Sequence, residues 1–375
     1  MKNISRMLWA GFTSAVLLSI GAWPGCESPS HSIREGAPLC SDAEKLGSTV
    51  VSPHLDVPIK PHANILWCGT FQLAWNEACA LAGGELKFSP PQPEMASILN
   101  KKSMTAADVD MESYVAEAGY VRDGICAKIK WAMLQKFGGN ATPALLQNPL
   151  GNRPQDIIAY GYLQKDLLFA TPFERADVPL SFGTAKVSCF GMASYKPGHE
   201  EMAKQVVIID YRDRDDFIIE LKTKSKGDRL ILAKMEPGNS LVETLEALNK
   251  RIDAAKPMPA FPCDVLAVPK INFDITRNYT ELTGRHLIPT APGMAADLTL
   301  LEAVQNTRFQ LDEKGVKLRS ESRMEFGCSG PREPMPVHVM VFDKPFLLTL
   351  IRENRTIPYF ALWIGNADLL VTAKE

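Results

Sequence analysis

The hydrophobic pattern changes period part-way along the chain. Over residues 65–82, Leu66, Phe71, Leu73, Ala74 and Ala80 recur at helical intervals and predict an amphipathic helix. Phe88, Ser89 and Pro90 open a second helical stretch that holds Met95, Ile98 and Leu99. Residues 105–116 carry Asp and Glu near their start, as the positive end of a helix favours, and predict a third. Residues 124–137 give the clearest helix, with Gly138 and Gly139 as its stop. Past Pro154 the period falls toward two. Strands are predicted at 156–163, 185–190, 205–211, 217–222, 230–233 and 265–275. One helix interrupts them over 241–252, with Leu241, Leu245 and Leu248 on one face. Residues 302–311 fit neither period clearly. Strands at 337–342, 346–351 and 357–364 complete the set. The last two are apolar at nearly every position and are joined by the polar run 352–356. A hairpin without a polar face has both faces covered, so it belongs deep in the core. Helices first and strands later, without strand–helix–strand alternation, predict an α+β fold.

The N-terminus reads differently. Lys2 and Arg6 precede an apolar stretch over 7–22, followed by Trp23-Pro24-Gly25-Cys26 and then a polar run. This is the pattern of an export signal over 1–25, to be set aside from the fold. Gly25-Cys26 is similar to the end of a bacterial lipoprotein signal, although Trp23 and Pro24 depart from its usual residues. That resemblance implies a lipid on Cys26 and a membrane-anchored place in the cell envelope, with plain secretion to the outside as the alternative. Residues 26–61, polar with Pro and Ser, read as a tether, and 62–375 as the folded domain.

Charge and candidate chemistry narrow the function by exclusion. A formal net charge of −2 offers no electrostatic footprint for nucleic acid, so none is expected as a partner. The chain is expected to be a monomer. The eight cysteines, at 26, 40, 68, 79, 126, 189, 263 and 328, form no C-x-x-C pair, which argues against a zinc ribbon or a dithiol redox site. Gly327-Cys328-Ser329-Gly330 is not a nucleophile elbow. Gly198-His199-Glu200-Glu201 starts like a zinc-protease helix but has no second His at the required spacing. Asp210, Asp213, Asp215 and Asp216, interleaved with Arg212 and Arg214, read as a hairpin turn and lack calcium-loop spacing. No phosphate-cradling Gly loop occurs. Neither enzyme activity, cofactor nor metal is expected.

The C-terminal third carries a resemblance. Residues 342–354, Phe-Asp-Lys-Pro-Phe-Leu-Leu-Thr-Leu-Ile-Arg-Glu-Asn, resemble the signature strand of the serpin superfamily, and the following apolar strand carries Gly365 as serpins do. Leu311-Asp312-Glu313-Lys314-Gly315 resembles the acidic-x-Gly entry to the serpin hinge. Val268-Pro269-Lys270-Ile271, the run 160–173 ending in Thr171-Pro172-Phe173, and Phe88-Ser89-Pro90 resemble three further serpin motifs, all in family order. The resemblance covers residues 65–375. It implies N-terminal helices packed on a large mixed or antiparallel sheet, with smaller sheets and a buried C-terminal β-hairpin. It also implies inhibition of a serine-type endopeptidase, the target being a serine or cysteine protease, through a reactive-centre loop at about 316–340.

Two departures qualify what is implied. The stretch between Phe88 and Pro172 is markedly shorter than in a typical serpin, in the region of helices D to F. The hinge, built from small residues in inhibitory members, here follows Glu313 and Gly315 with Val316, Lys317, Leu318, Arg319, Ser320, Glu321, Ser322, Arg323, Met324, Glu325 and Phe326. Every second residue is charged. The alternates, from Val316 through Leu318, Ser320 and Ser322 to Met324 and Phe326, are apolar or small, the code of a strand with one solvated face. Large side chains slow insertion into a sheet, so trapping is expected to be inefficient or absent. The alternative is a non-inhibitory binding or structural protein of the envelope. The family's usual interval puts the scissile region at Gly327, Cys328, Ser329 and Gly330. Cys328 reads equally as an exposed thiol or as a buried or paired one.

Overall fold

The computed structural model describes residues 39–138, 144–147, 149–192, 198–316 and 338–373. Cys26 and residues 317–337 lie outside them, and so do the predicted site residues Leu318, Ser320, Ser322, Gly327, Cys328, Ser329 and Gly330.

The first elements correct the expected tether. Strand β1 (Leu39–Asp42) pairs in parallel with residues 273–276, and β2 (Thr49–Ser52) pairs in parallel with β3 (Asn64–Cys68). Residues 39–61 are therefore part of the folded body, because backbone pairing does not require an apolar run. Residues 65–68 are also not the start of a helix. Every side chain of β3 is buried, and a short run of that kind is a central strand. Helix α1 begins only at Thr70 and ends at Leu81. It is followed by β4 (Lys87–Phe88) and the short α2 (Glu94–Leu99).

Residues 105–116 depart from the predicted helix for a local reason. Thr105 and Asp108 cap one single-turn helix reciprocally, and the Asp110 carboxylate accepts from the Glu112 and Ser113 side of the next turn. The acidic residues that suggested a helix start serve as caps of isolated turns. The chain then extends as β5 (Tyr114–Tyr120). Helix α3 (Ile125–Phe137) follows, close to its predicted bounds.

The later elements are mostly strands, as predicted past Pro154. They are β6 (Ile157–Leu163), β7 (Leu167–Leu168), β8 (Glu174–Arg175), β9 (Leu180–Phe182), β10 (Ala185–Val187) and β11 (Cys189–Met192). After the short α4 (His199–Ala203) come β12 (Val206–Asp213), β13 (Asp216–Leu221) and β14 (Asp228–Lys234). Helix α5 (Leu241–Ala254) leads to β15 (Met258–Pro259), β16 (Val265–Pro269), β17 (Ile271–Asn278) and β18 (Leu287–Ile288). The ambiguous 302–311 stretch is a nine-residue strand, β19 (Val304–Asp312), whose residues 305, 307, 309 and 311 are buried. A tight turn joins it to β20 (Gly315–Val316). Beyond residue 337 come β21 (Val339–Val341), β22 (Phe346–Arg352) and β23 (Phe360–Ile364).

The architecture is α+β, as predicted. An eight-stranded sheet has the order β15-β12-β13-β14-β22-β23-β3-β2. The C-terminal hairpin β22–β23 pairs with β14 along one edge and with β3 along the other, and its side chains are buried on both faces of the sheet. A five-stranded sheet, β1-β17-β19-β20-β7, and a four-stranded one, β21-β16-β11-β8, share a continuous core with it. Strands β5 and β6 form a separate pair, sandwiched between α1 on one face and α3 on the other. The acidic residues at 210–216 do form a hairpin, between β12 and β13. Lys234, 2% exposed, lies within 2.8 Å of Asp215 and 2.6 Å of Asp343, and hydrogen bonds from Lys234 and Lys344 hold the Asp215 carboxyl at about 2.

Candidate functional site: a slot between two strand edges

Two strand edges carry no partner over most of their length among the described residues. Strand β6 pairs along one edge with β5. Strand β19 pairs fully with β17 on one side, but on the other meets β20 only at Leu311 and Asp312. Residues 156–165 and 303–309 line a common cleft of about 1230 Å³. Its floor includes Thr70, Phe71, Ala74 and Trp75 of α1. The floor lies close because of a glycine: a Cβ on Gly161 would sit 2.3 Å from the Thr70 carbonyl oxygen, so only Gly lets β6 rest there. Ile158, Tyr160 and Tyr162 face α3 instead.

Strand β20 begins to fill this cleft at its upper end. Gly315 and Val316 pair antiparallel with β19 on one side and with Leu168 and Leu167 of β7 on the other. Val316 is 3% exposed. Gly315 has φ +128, and a Cβ there would lie 2.2 Å from the Leu167 carbonyl oxygen. Both the backbone angle and the space require glycine. The Phe169 and Phe173 amides donate to the Lys314 and Glu313 carbonyls at 2.9 and 2.8 Å, which clamps the turn between β19 and β20.

The turn is also held electrostatically. Glu313 is buried, with its carboxylate 2.6 Å from the Lys270 ammonium and 2.5 Å from the Arg175 guanidinium. Burial alone would raise its pKa, but hydrogen bonds and charge from Lys270, aided by Arg175, outweigh it and hold the carboxyl below its ordinary value. Lys165 sits where β6 gives way to β7, 2.8 Å from Asp228 and 3.3 Å from Asp110. The Tyr359 hydroxyl donates to Asp228 at 3.2 Å. These contacts fix the wall at the point where the slot starts.

The inner face of β19 is polar where it meets the floor. The Gln305 amide donates to the Cys68 carbonyl at 2.9 Å and to the Thr70 hydroxyl at 2.8 Å, and it accepts from Tyr279 at 2.7 Å. One residue pair further up, the Thr307 hydroxyl is buried in the cleft wall without a hydrogen-bond partner among the described residues. At the lower mouth Arg153 reaches from the β6 side to Asp297 on the β19 side, at 3.3 Å. Asp156 orients it, accepting from the amides of Asn152 and Arg153 and from Arg153 Nε.

Of the predicted site residues, Glu313, Gly315 and Val316 are thus brought together at the top of the slot. The chain re-enters the described residues at His338, whose amide donates to Asp264 at 2.9 Å and whose ring nitrogen lies 3.1 Å from the same carboxylate. Lys270 falls inside a sequence motif, but its pairing with Glu313 could not be read from spacing. Lys165, Arg153 and Asp297 carried no sequence signal. Among the described residues no group of side chains could hold a metal ion.

No family model and no curated protein matches the sequence. In structure the chain is similar to human thyroxine-binding globulin in complex with thyroxine, at 14% identity and TM-score 0.44, covering 82% of this chain and 93% of the other. It is similar to a serpin of the trematode Schistosoma haematobium at 12% identity and TM-score 0.45, covering 81% and 94%. A Schistosoma mansoni serpin is similar over 65% and 64% at 14% identity and TM-score 0.39. The likeness is one of fold.

Proposed function

We propose that this chain works as a serpin-type protein: a protease cuts the segment 317–337, and the residues after Val316 then enter the slot as a new central strand. The observation that carries this reading is the slot itself, open between β6 and β19 and already begun by β20. Extending the antiparallel register of β20 along β19 pairs Leu318 with Phe309, Ser320 with Thr307 and Ser322 with Gln305. Each inner-face position then meets a suitable neighbour. Ser320 brings a hydroxyl to the Thr307 hydroxyl that lacks one, a cross-strand contact worth roughly 0.2–1 kcal/mol. Lys317, Arg319, Glu321, Arg323 and Glu325 fall on the opposite face.

The same register supports an expectation of weak trapping. Arg319 is set beside Arg308, and like charges directly opposite are destabilising. Leu318 must pass the narrow entry beside Lys165. Slow entry lets a protease complete hydrolysis and leave, so cleavage of the loop is the main outcome and a covalent complex does not accumulate. Limited proteolysis with a panel of serine and cysteine proteases tests this. The expected result is a single cut within 317–337 and a rise in thermal stability, with no SDS-stable complex. A cut that leaves Tm unchanged sinks the insertion; a stable complex sinks the claim of weak trapping.

The chain is proposed to act outside the cytoplasm, held by a lipid on Cys26. Fatty-acid labelling of the expressed protein is expected, and it is lost in Cys26→Ala. Labelling that persists in the variant removes the anchor and leaves secretion.

A further inference from the structure

The lower half of the cleft lies between two pieces of core that remain unjoined among the described residues. One is the cluster that holds Trp75, Leu86, Phe88 and Ala303, and the other holds Val115, Ile129, Leu146 and Tyr160. The members of the first that border the cleft without being fully covered are Phe71, Ala78, Leu287, Met294 and Leu300. Leu145, Leu150 and Leu301 border it too, and are 37, 59 and 40% exposed. Apolar side chains from α1, from residues 145–150 and from residues 287–301 therefore share one concave space with no apolar filling. A concave apolar space with a single polar group to orient its occupant is the usual form of a small-molecule site.

Thr307 is that polar group. It is 7% exposed, borders the cleft, and its hydroxyl has no hydrogen-bond partner among the described residues. A buried hydroxyl in that state carries a desolvation cost that a ligand oxygen relieves. It lies four residues along β19 from Ala303, roughly 13 Å, so the occupant has its oxygen at one end and a long apolar body. The charges bordering the cleft exclude an ionic head. Lys165 is answered by Asp228 and Asp110, Asp156 by Arg153, and Asp274 by Asn306 and by Arg308 at 4.0 Å, while Glu302 is exposed at the rim. A ligand charge would be buried there without a counterion. We infer that the cleft of the uncut chain binds an elongated, uncharged amphiphile, its hydroxyl or carbonyl oxygen at Thr307 and its alkyl body toward Phe71, Ala78 and Leu300. The binding stands apart from the proposed function, but its consequence rests on that reading. The entering strand, continued in register past Ser322, sets Met324 beside Ala303, in the space of the alkyl body. Ligand and complete strand exclude each other.

Dodecanol is the probe, titrated by calorimetry into the uncut full-length chain carrying Cys26→Ser, so that no lipid of its own competes. Saturable binding of one molecule per chain is expected. Dodecanoate and dodecylammonium bind about tenfold more weakly or worse, because each brings a charge into the cleft. Thr307→Val keeps the side-chain size and removes only the unpartnered hydroxyl; it weakens dodecanol about threefold to tenfold. The double variant Leu150→Asp and Leu301→Asp, at two exposed positions that folding does not need covered, weakens it about tenfold or more. The inference is overturned by the lack of saturable binding, by dodecanoate binding as tightly as the alcohol, or by an affinity that ignores either set of substitutions. Cutting within 317–337 separates this result from the insertion. Where the cut raises Tm, the cut chain is expected to lose the probe, and retention overturns the placement of the alkyl body. Where the cut leaves Tm unchanged, the insertion fails, and binding to the uncut chain still decides whether the cleft is a ligand site.

Discussion

Gly315 is the residue on which the entry to the slot turns. Any side chain there meets the β7 backbone, and a left-handed φ adds its own cost. Gly315→Ala is expected to lose the β20–β7 pairing and to destabilise the protein by about 2 kcal/mol or more. Hydrogen exchange at Val316 and Phe169 checks it: those amides should lose protection while those of β22 and β23 keep theirs. The neighbouring Glu313 gives a pH dependence of defined sign. Its carboxyl pKa is lowered in the folded state, so its contribution to stability is present above the ordinary carboxylate range, about pH 4–5. It is lost as pH falls through the lower folded value. Urea denaturation at falling pH should show this loss in the wild type and much less of it in Glu313→Gln. An equal acid response in both would place the effect elsewhere.

At the scale of elements, the slot is bounded by how two strands are held. Strand β19 is fixed by full pairing with β17 and by the Gln305 contacts to the start of α1. Among the described residues strand β6 pairs only with β5 and has helices above and below, so it is the wall that yields. The Arg153–Asp297 pair spans the lower mouth between them. An incoming strand that runs the full length of β19 has to displace it. Exposed ion pairs are weak and screened by salt. Asp297→Asn should therefore speed post-cleavage strand entry by a factor of about two to five in low salt. The difference should vanish in 0.5 M salt. Stopped-flow fluorescence after proteolysis measures it, and an unchanged rate in low salt would show that the strand stops short of the mouth.

For the whole molecule the relevant quantity is the stability left unused by an unpaired slot. The edges of β6 and β19 present backbone groups to the cleft that a further strand would pair. For a chain of this size each kcal/mol moves Tm by roughly 2 °C. A strand entering along most of β19 is expected to raise Tm by about 10 °C or more, read by calorimetry on cut and intact protein. The eight-stranded sheet, which is already complete around β22–β23, should unfold in both as the same late unit.

The sequence determined by itself what rests on local periodicity and covalent pattern. The α+β class, α3, α5 and the two-faced apolar hairpin of β22 and β23 follow from spacing alone, since a run with no polar side has only one place to go. The acidic-x-Gly step at Glu313 and Gly315 was legible only as a resemblance, and the structure supplies its reason: the backbone angle and the nearby Leu167 carbonyl require glycine. Tertiary structure decided the rest. Whether the Ile-Leu-Trp-Cys run of β3 opened a helix or formed a central strand depended on β2 and β23 lying beside it. The residues at 39–61 became part of two sheets through backbone hydrogen bonds, which leave no trace in side-chain pattern. The slot came last of all. It is an absence of pairing between two strands about 140 residues apart in sequence, and only the arrangement of both in space can leave a gap.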